Sequence, residues 1–187
     1  MIGLVVLSPL FIVVAIIIKI DSRGPVFFRQ IRNGQFTHPF NIYKFRTMVV
    51  GNTMKVRDDG TVITEKNDAR ITKVGNFLRG GLDELPQLIN IVKGEMSVVG
   101  PRPDLPMHLE SISEAQKVRY NAKPGITNLP AICGRNDLTL EIRNNLDIYY
   151  VEHRSFAFDL KIIWFTLMLP FKVKAPLNAE IQKIIHD

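Results

Sequence analysis

From Ile2 to Ile18 the chain reads IGLVVLSPLFIVVAIII with no charged side chain, and Lys19, Ile20 and Asp21 close the run. A helix needs roughly 20 apolar residues to cross a bilayer core, so the run stands at the lower limit for spanning. It lacks the basic leader and small-residue cleavage site of a secretory signal peptide. Ser8-Pro9 lies inside it. Proline removes a backbone donor and crowds the preceding turn, which predicts a kink at Ser8 and Pro9, with the Ser8 hydroxyl able to serve a freed carbonyl. A bent segment can turn back within one leaflet, and a straight spanning helix with a tolerated proline is the alternative of equal standing. Lys19, Arg23, Arg29 and Arg32 follow the run. Positive charge on that side marks the cytoplasmic face and predicts that the rest of the chain is cytoplasmic.

Beyond the run the periods change. The segment GPVFFRQIRNGQFTHPFNIYKF, Gly24 to Phe45, has β-branched and aromatic residues on both sides of Asn33-Gly34. That dipeptide readily supplies positive φ, so a short β-hairpin turning at Asn33-Gly34 is predicted. Val49 to Asp68, with Asp58, Asp59 and Gly60, has no sustained period and reads as a loop of the kind that covers sites. Leu85, Leu88, Ile89 and Val92 follow helical spacing and Gly94 is a natural stop. Pro86 fits only in the first turn, so this helix is expected to begin near Leu82 to Glu84. Pro101, Pro103 and Pro106 stiffen a connection, and Glu110 to Asn121 reads as another helix ending before Pro124-Gly125. Phe156 to Phe171 is apolar but broken by Asp159 and Lys161 and followed by Lys172 and Lys174. This pattern predicts a helix lying in the membrane interface or on the core, not one that spans.

Composition narrows the class. The 187 residues suit one domain with attachments, 46% are hydrophobic and 22% charged, and 24 Lys and Arg against 18 Asp and Glu leave a formal charge of +6. That balance suits phosphates or an acidic lipid surface, although a solvated basic surface has the same charge. Cys133 is the only cysteine. An intrachain disulfide is therefore impossible, and a reducing, cytoplasmic setting fits best.

Asp83 and Glu84 fall at the expected start of a helix, whose free N–H groups would keep both carboxylates ionised near neutral pH. An ionised aspartate can attack phosphorus and a neighbouring carboxylate can hold a divalent metal, but an arbitrary Asp-Glu pair is more often a helix cap. Lys44 and Arg46 after the hairpin, Arg102 between two prolines and Arg135 after Gly134 are candidate phosphate contacts. Each alone is more often a surface charge.

Taken together, these segments resemble the bacterial sugar transferases, or monotopic phosphoglycosyl transferases. The resemblance rests on LSP (Leu7 to Pro9), YKFRTM (Tyr43 to Met48) and LDELPQLINIVKGEMSVVGPRP (Leu82 to Pro103). KPGIT (Lys123 to Thr127), GRN (Gly134 to Asn136) and LDIYYVEHRSFAFDLKI (Leu146 to Ile162) support it. It implies an α+β fold, a small mainly helical cytoplasmic domain with a β-hairpin, a re-entrant membrane helix bent at Ser8-Pro9 and interfacial amphipathic helices. Residues 1–20 would be that helix, shortened, and 21–187 the catalytic domain. The implied reaction has Asp83 attack the sugar-bearing phosphate of a UDP-sugar, release UMP and hold the phosphosugar covalently until polyprenol (undecaprenyl) phosphate accepts it. Glu84, with Asp83, would hold Mg²⁺. Lys44, Arg102 and Arg135 would bind phosphate or nucleotide, and Asp159 matches an acidic position of the family. The implied place is the cytoplasmic face of a bacterial inner membrane, with membrane lipid as a further partner and a homo-oligomer compatible with the sequence.

Three departures from the family pattern carry expectations of their own. Only seven residues precede Ser8, where the family has a longer basic and aromatic lead-in. Gly80-Gly81 replaces small hydroxyl residues, which removes a side-chain cap and predicts weaker preorganisation. Asn128 to Cys133 reads NLPAIC in place of a tryptophan and a polar pair, which predicts an altered base or sugar pocket. A competing class is a catalytically weak, truncated paralogue that serves as a membrane scaffold for glycan-assembly enzymes, against which the intact Asp83, Glu84 and Arg102 argue. Nucleic-acid binding is disfavoured by the lack of a recognition-helix motif or aromatic-basic repeat.

Overall fold

The computed structural model describes residues 2–51, 68–110, 112–134, 137–173 and 175–186. The expected loop from Val49 to Asp68, with Asp58, Asp59 and Gly60, falls for the most part outside the described residues, as do Arg135 and Asn136. The chain mixes helix with a short antiparallel hairpin and forms two compact units: residues 1–31 with 41–93, and residues 32–40 with 94–187.

In the first unit the apolar run forms one helix, α1 (Ile2–Asp21), which continues through Pro9, so the expected bend does not divide it. Pro9 cannot bond the carbonyl four residues back, and the Ser8 hydroxyl donates to that same oxygen, Val5 O, at 2.7 Å. Of the described residues, 3–21 form the one helix long and apolar enough to cross a membrane. Only a narrow stripe of α1 is covered: Phe11, Val14 and Ile18, at helical spacing, pack with Phe45, Leu78 and Phe27. The opposite side keeps Val5, Val6, Ile12 and Ile20 open, Ile20 at 81% exposure.

The hairpin pairs β1 (Phe27–Asn33) with β2 (Pro39–Phe45). Its turn differs from expectation. Gly34 has φ −101°, and the positive angles fall on Phe36 and Thr37, because the connection is a longer loop containing a 3-10 turn, Gln35–Thr37. The buried Asn90 side chain extends the edge of β2, accepting from Tyr43 N at 3.1 Å and donating to Asn41 O at 2.7 Å. Thr72 caps α2 (Lys73–Leu78) by accepting from Gly75 N, and Asp21 at the end of α1 accepts from Val74 N at 3.0 Å. A groove of about 310 Å³ lies between α1 and α2, lined by Val14, Ile17, Lys73, Val74, Phe77 and Leu78.

The helix expected from Leu85, Leu88, Ile89 and Val92 begins later than predicted. Leu82–Glu84 is a 3-10 turn, and α3 runs Gln87–Val92 with Pro86 just before it. Its buried residues are Gln87 and Asn90, whereas Val92 is exposed, so the face that α3 turns inward is the polar one. Gly94, at φ +78°, ends it as expected.

The second unit is built on two parallel strands, β3 (Ser97–Val99) and β4 (Gly125–Thr127), with Ser97 opposite Gly125 and Val99 opposite Thr127. A Cβ on Gly125 would stand 2.1 Å from Gly100 N, so only glycine permits this approach. The predicted helix from Glu110 to Asn121 is instead two 3-10 segments, Pro106–Glu110 and Ala115–Asn121. Among the described residues four α-helices follow, each opened by a side-chain cap: α4 (Leu129–Cys133) by Asn128, α5 (Leu140–His153) by Thr139, α6 (Phe156–Met168) by Ser155, and α7 (Ala179–His186) by Asn178. Val99, Leu129, Leu146, Tyr150, Ile162 and Ile181 form their common core. On α6 and the turn after it, Phe156, Leu160, Trp164, Leu167 and Phe171 line up at helical spacing and stay exposed, while Ile162 is fully buried.

Candidate active site

The last residues of β2 and the one after it, Tyr43 to Arg46, each meet a different partner. The Tyr43 ring lies beneath Arg29 and Lys93, whose cations stand 5.2 and 5.1 Å from its centroid. Lys44 reaches Glu84, Nζ to Oε1 at 2.6 Å. Phe45 enters the core. Arg46, expected to bind phosphate, is only 5% exposed and donates to the carbonyls of Ser22 at 2.8 Å and Arg23 at 2.6 Å. Those carbonyls follow directly on α1, and Arg46 Nη2 also reaches Ile18 O in its last turn at 3.5 Å, so Arg46 caps that helix and anchors it to the unit. Thr47 accepts from Arg79 Nε at 3.3 Å and, through its carbonyl, from Thr72 N.

Asp83 and Glu84 lie together in the 3-10 turn, half-buried. Gly81 opens the turn at φ +119°, a conformation suited to glycine, and the turn has no side-chain cap, in line with the departure at Gly80-Gly81. The expected stabilisation of Asp83 by a helix end is outweighed. Burial is the largest influence and pushes its carboxyl up; Lys44 pulls it down, Glu84 pushes it up, and Arg79 pulls down more weakly, leaving it above its ordinary value. A desolvated carboxylate is the more basic and the better nucleophile once ionised. Arg79 was not singled out by its sequence pattern. It stands four residues before Asp83, a separation visible in RGGLD, but Gly80-Gly81 hides the spacing from any helical template.

Among the described residues no group of three or more His, Cys, Asp or Glu converges as a metal cage. Mg²⁺ commonly takes one or two carboxylates and completes its sphere with water and substrate phosphate oxygens. Adjacent Asp83 and Glu84 fit that mode, and the cost of desolvating Asp83 is the kind a cation offsets.

The other expected site residues belong to the second unit. Arg102 is exposed between the buried Pro101 and Pro103, and its carbonyl accepts from Arg119. Asp159, in the first turn of α6, accepts from Tyr150 OH at 2.7 Å. Burial and that bond push the Tyr150 phenol up. Arg135 lies outside the described residues. In the departing segment from Asn128 to Cys133, Asn128 caps α4, Leu129, Pro130 and Ile132 are buried, and burial pushes the Cys133 thiol up to about 12.

The family model described as bacterial sugar transferase matches residues 1–172. A UDP-glucose:undecaprenyl-phosphate glucose-1-phosphate transferase of Klebsiella pneumoniae is 42% identical over 177 residues, 90% of this chain and 37% of that protein. Its namesake in Escherichia coli is 41% identical over 183 residues, 92% of this chain and 38% of that protein. The chain thus spans little more than a third of either. An uncharacterized sugar transferase of Bacillus subtilis, EpsL, is 43% identical over 178 residues, 95% of this chain and 82% of that protein. With its motifs in order and a match over nearly its whole length, this chain belongs to the bacterial sugar transferase family.

Proposed function

We propose that the chain transfers a sugar 1-phosphate from a UDP-sugar to undecaprenyl phosphate through a phosphosugar held covalently on Asp83. The observation that carries the proposal is the half-buried Asp83 carboxylate beside the Glu84–Lys44 pair, with Arg79 in the same field. An Asp83 carboxylate oxygen attacks the sugar-bearing phosphorus, and the bond from that phosphorus to the bridging oxygen breaks. Its electron pair leaves with UMP. A phosphate oxygen of the lipid then attacks the same phosphorus, the Asp83–phosphorus bond breaks, and a polyprenyl diphosphate sugar leaves with the carboxylate restored. Lys44 offsets charge on the transferred phosphoryl group while holding Glu84 in place. Mg²⁺ held by Asp83 and Glu84 would supply further positive charge at the phosphate oxygens. Arg102, Asp159 and Arg135 are proposed contacts for phosphate, sugar or nucleotide.

The lipid acceptor requires a site at a membrane. The exposed apolar sides of α1 and of α6 support attachment there. Lys19 in the last turn of α1, with Arg23 and Arg29 beyond it, supports the cytoplasmic face of a bacterial inner membrane, with residues 21–187 as the catalytic part.

The test offers a panel of UDP-sugars, UDP-glucose included, without lipid and measures UMP release and the mass of the peptide containing Asp83. One UMP per chain and a phosphosugar adduct on that peptide are expected. An adduct on another residue would move the nucleophile, and release that waits for lipid without any adduct would replace the covalent route with direct transfer.

A further inference from the structure

The stretch that carries Arg102 has the carbonyl of each of its residues, Pro101 to Leu105, hydrogen-bonded. Gly125 N donates to Pro101 O at 3.0 Å, and Asn33 N to Asp104 O at 2.9 Å. Arg119 Nη2 donates to Arg102 O at 3.0 Å and Arg32 Nη1 to Pro103 O at 3.2 Å. Leu105 O accepts from Asn33 Nδ2 at 3.3 Å and from His108 N at 3.0 Å. A proline-rich segment has few N–H groups and forms no ladder of its own, so its carbonyls must be met from outside. Here two guanidinium groups do part of that work.

Arg119 is buried, and its other bonds hold it in turn. It donates to Asp104, to Asn144 Oδ1 at 2.8 Å and to Asp147 Oδ2 at 2.6 Å, while Tyr120 OH donates to Asp104 at 3.1 Å. It therefore joins the proline stretch to α5. Burying a guanidinium with two carboxylates is a poor way to gain stability, because apolar residues of similar volume often do as well or better. The cluster is better explained by what it holds, the backbone on which an exposed arginine is mounted.

We propose that Arg119, seconded by Arg32, is a positioning residue for Arg102. The two pin successive carbonyls so that the Arg102 guanidinium is presented in one orientation to a phosphate of the nucleotide sugar. The inference rests on the proposed reading of Arg102 as a phosphate contact. A fork held in advance loses less entropy on binding two phosphate oxygens.

The experiment uses the full chain in lipid nanodiscs with UDP-glucose and undecaprenyl phosphate. It compares Arg119→Lys, Arg32→Met and Arg102→Ala with the two doubles that combine Arg102→Ala with each of the others. Arg119→Lys is expected to raise the KM for UDP-glucose by roughly tenfold or more with a smaller change in kcat. It should add nothing once Arg102 is alanine, and hydrogen exchange should quicken at the amides that donate to this stretch, Asn33, His108 and Gly125. Arg32→Met should do the same to a lesser degree, and it carries the test if Arg119→Lys does not fold. An equal penalty in the Arg102→Ala background would overturn the proposal. So would an unchanged KM in a folded variant, or an equal rise in KM from the core variant Ile181→Ala. If the parent chain releases no UMP, the reading of the function fails, and exchange at the Asn33, His108 and Gly125 amides still decides the positioning role: unchanged exchange in both variants rejects it.

Discussion

Two clusters of charge in this molecule use the same residue types to opposite ends. In the first unit Lys44, Arg79, Asp83 and Glu84 are half-buried, and burial leaves the Asp83 carboxyl above its ordinary value. In the second, Arg119 lies buried between Asp104 and Asp147. There, too, burial pushes carboxyls up, taking Asp147 to about 6, while at Asp104 the His108 bond and the Arg119 charge outweigh it and leave the carboxyl lowered. The first cluster has one tight ion pair and a neighbouring carboxylate whose desolvation Lys44 and Arg79 offset only in part. The second holds its charges in two ion pairs, with an amide and a phenol beside them. Burial raises a carboxyl in both clusters, so what separates them is access: Asp83 and Glu84 stay half-exposed to a substrate, whereas Arg119 and Asp147 are enclosed by their own partners.

The comparison is broken most directly by removing one aspartate or one arginine. Asp83→Asn should lower UMP release by at least about a thousandfold while leaving the unfolding midpoint unchanged, because the amide is no nucleophile and the position is not core. Near-normal turnover in that variant would reassign the site. Arg119→Met should act in the other sense, costing about 3–5 kcal/mol of stability in urea unfolding by leaving Asp104 and Asp147 buried without their counter-charge. Unchanged stability would mean that water or another group already satisfies the two carboxylates.

A smaller effect sharpens the picture of the first cluster. Asp83 must be ionised to attack, and its carboxyl is raised, so the rate should climb with pH along a limb above the ordinary carboxylate range. Lys44→Met removes a charge that pulls the carboxyl down and should move that limb to higher pH; Glu84→Gln removes one that pushes it up and should move it lower. Opposite or absent movements in single-turnover UMP release would show that another group controls the profile.

The smallest change in composition tests α1. Replacing Ser8 and Pro9 together by alanine restores a backbone donor to Val5 O and removes the hydroxyl that serves it. If the proline holds α1 within one leaflet, a cysteine near Met1, in a Cys133→Ser background, should resist an impermeant thiol reagent in intact cells and become labelled in the Ala-Ala variant. Labelling of the unaltered Ser8-Pro9 chain would identify α1 as a spanning helix.

Much of the architecture was legible because it is local. The run from Ile2 to Ile18, the hairpin, the stop at Gly94 and the helix from Phe156 each follow from period or from a residue with a special backbone, and these need no partner to be read. The service of Ser8 to a freed carbonyl was legible for the same reason. The resemblance in LDELPQ and PRP also marked Asp83, Glu84 and Arg102.

What local pattern could not decide depends on contacts between residues far apart in the chain. Lys44 near the end of β2 and Arg46 just past it are two residues apart, yet the second caps α1 and the first meets Glu84, an outcome set by which carbonyl or carboxylate the fold brings opposite. The apolar spacing of α3 predicts its buried face, but Asn90 turns inward because β2 has backbone groups to satisfy there. Arg79, Arg119 and Asp147 have no distinguishing spacing. Their significance arises from desolvation, which is a property of the surrounding packing and is absent from any window of sequence.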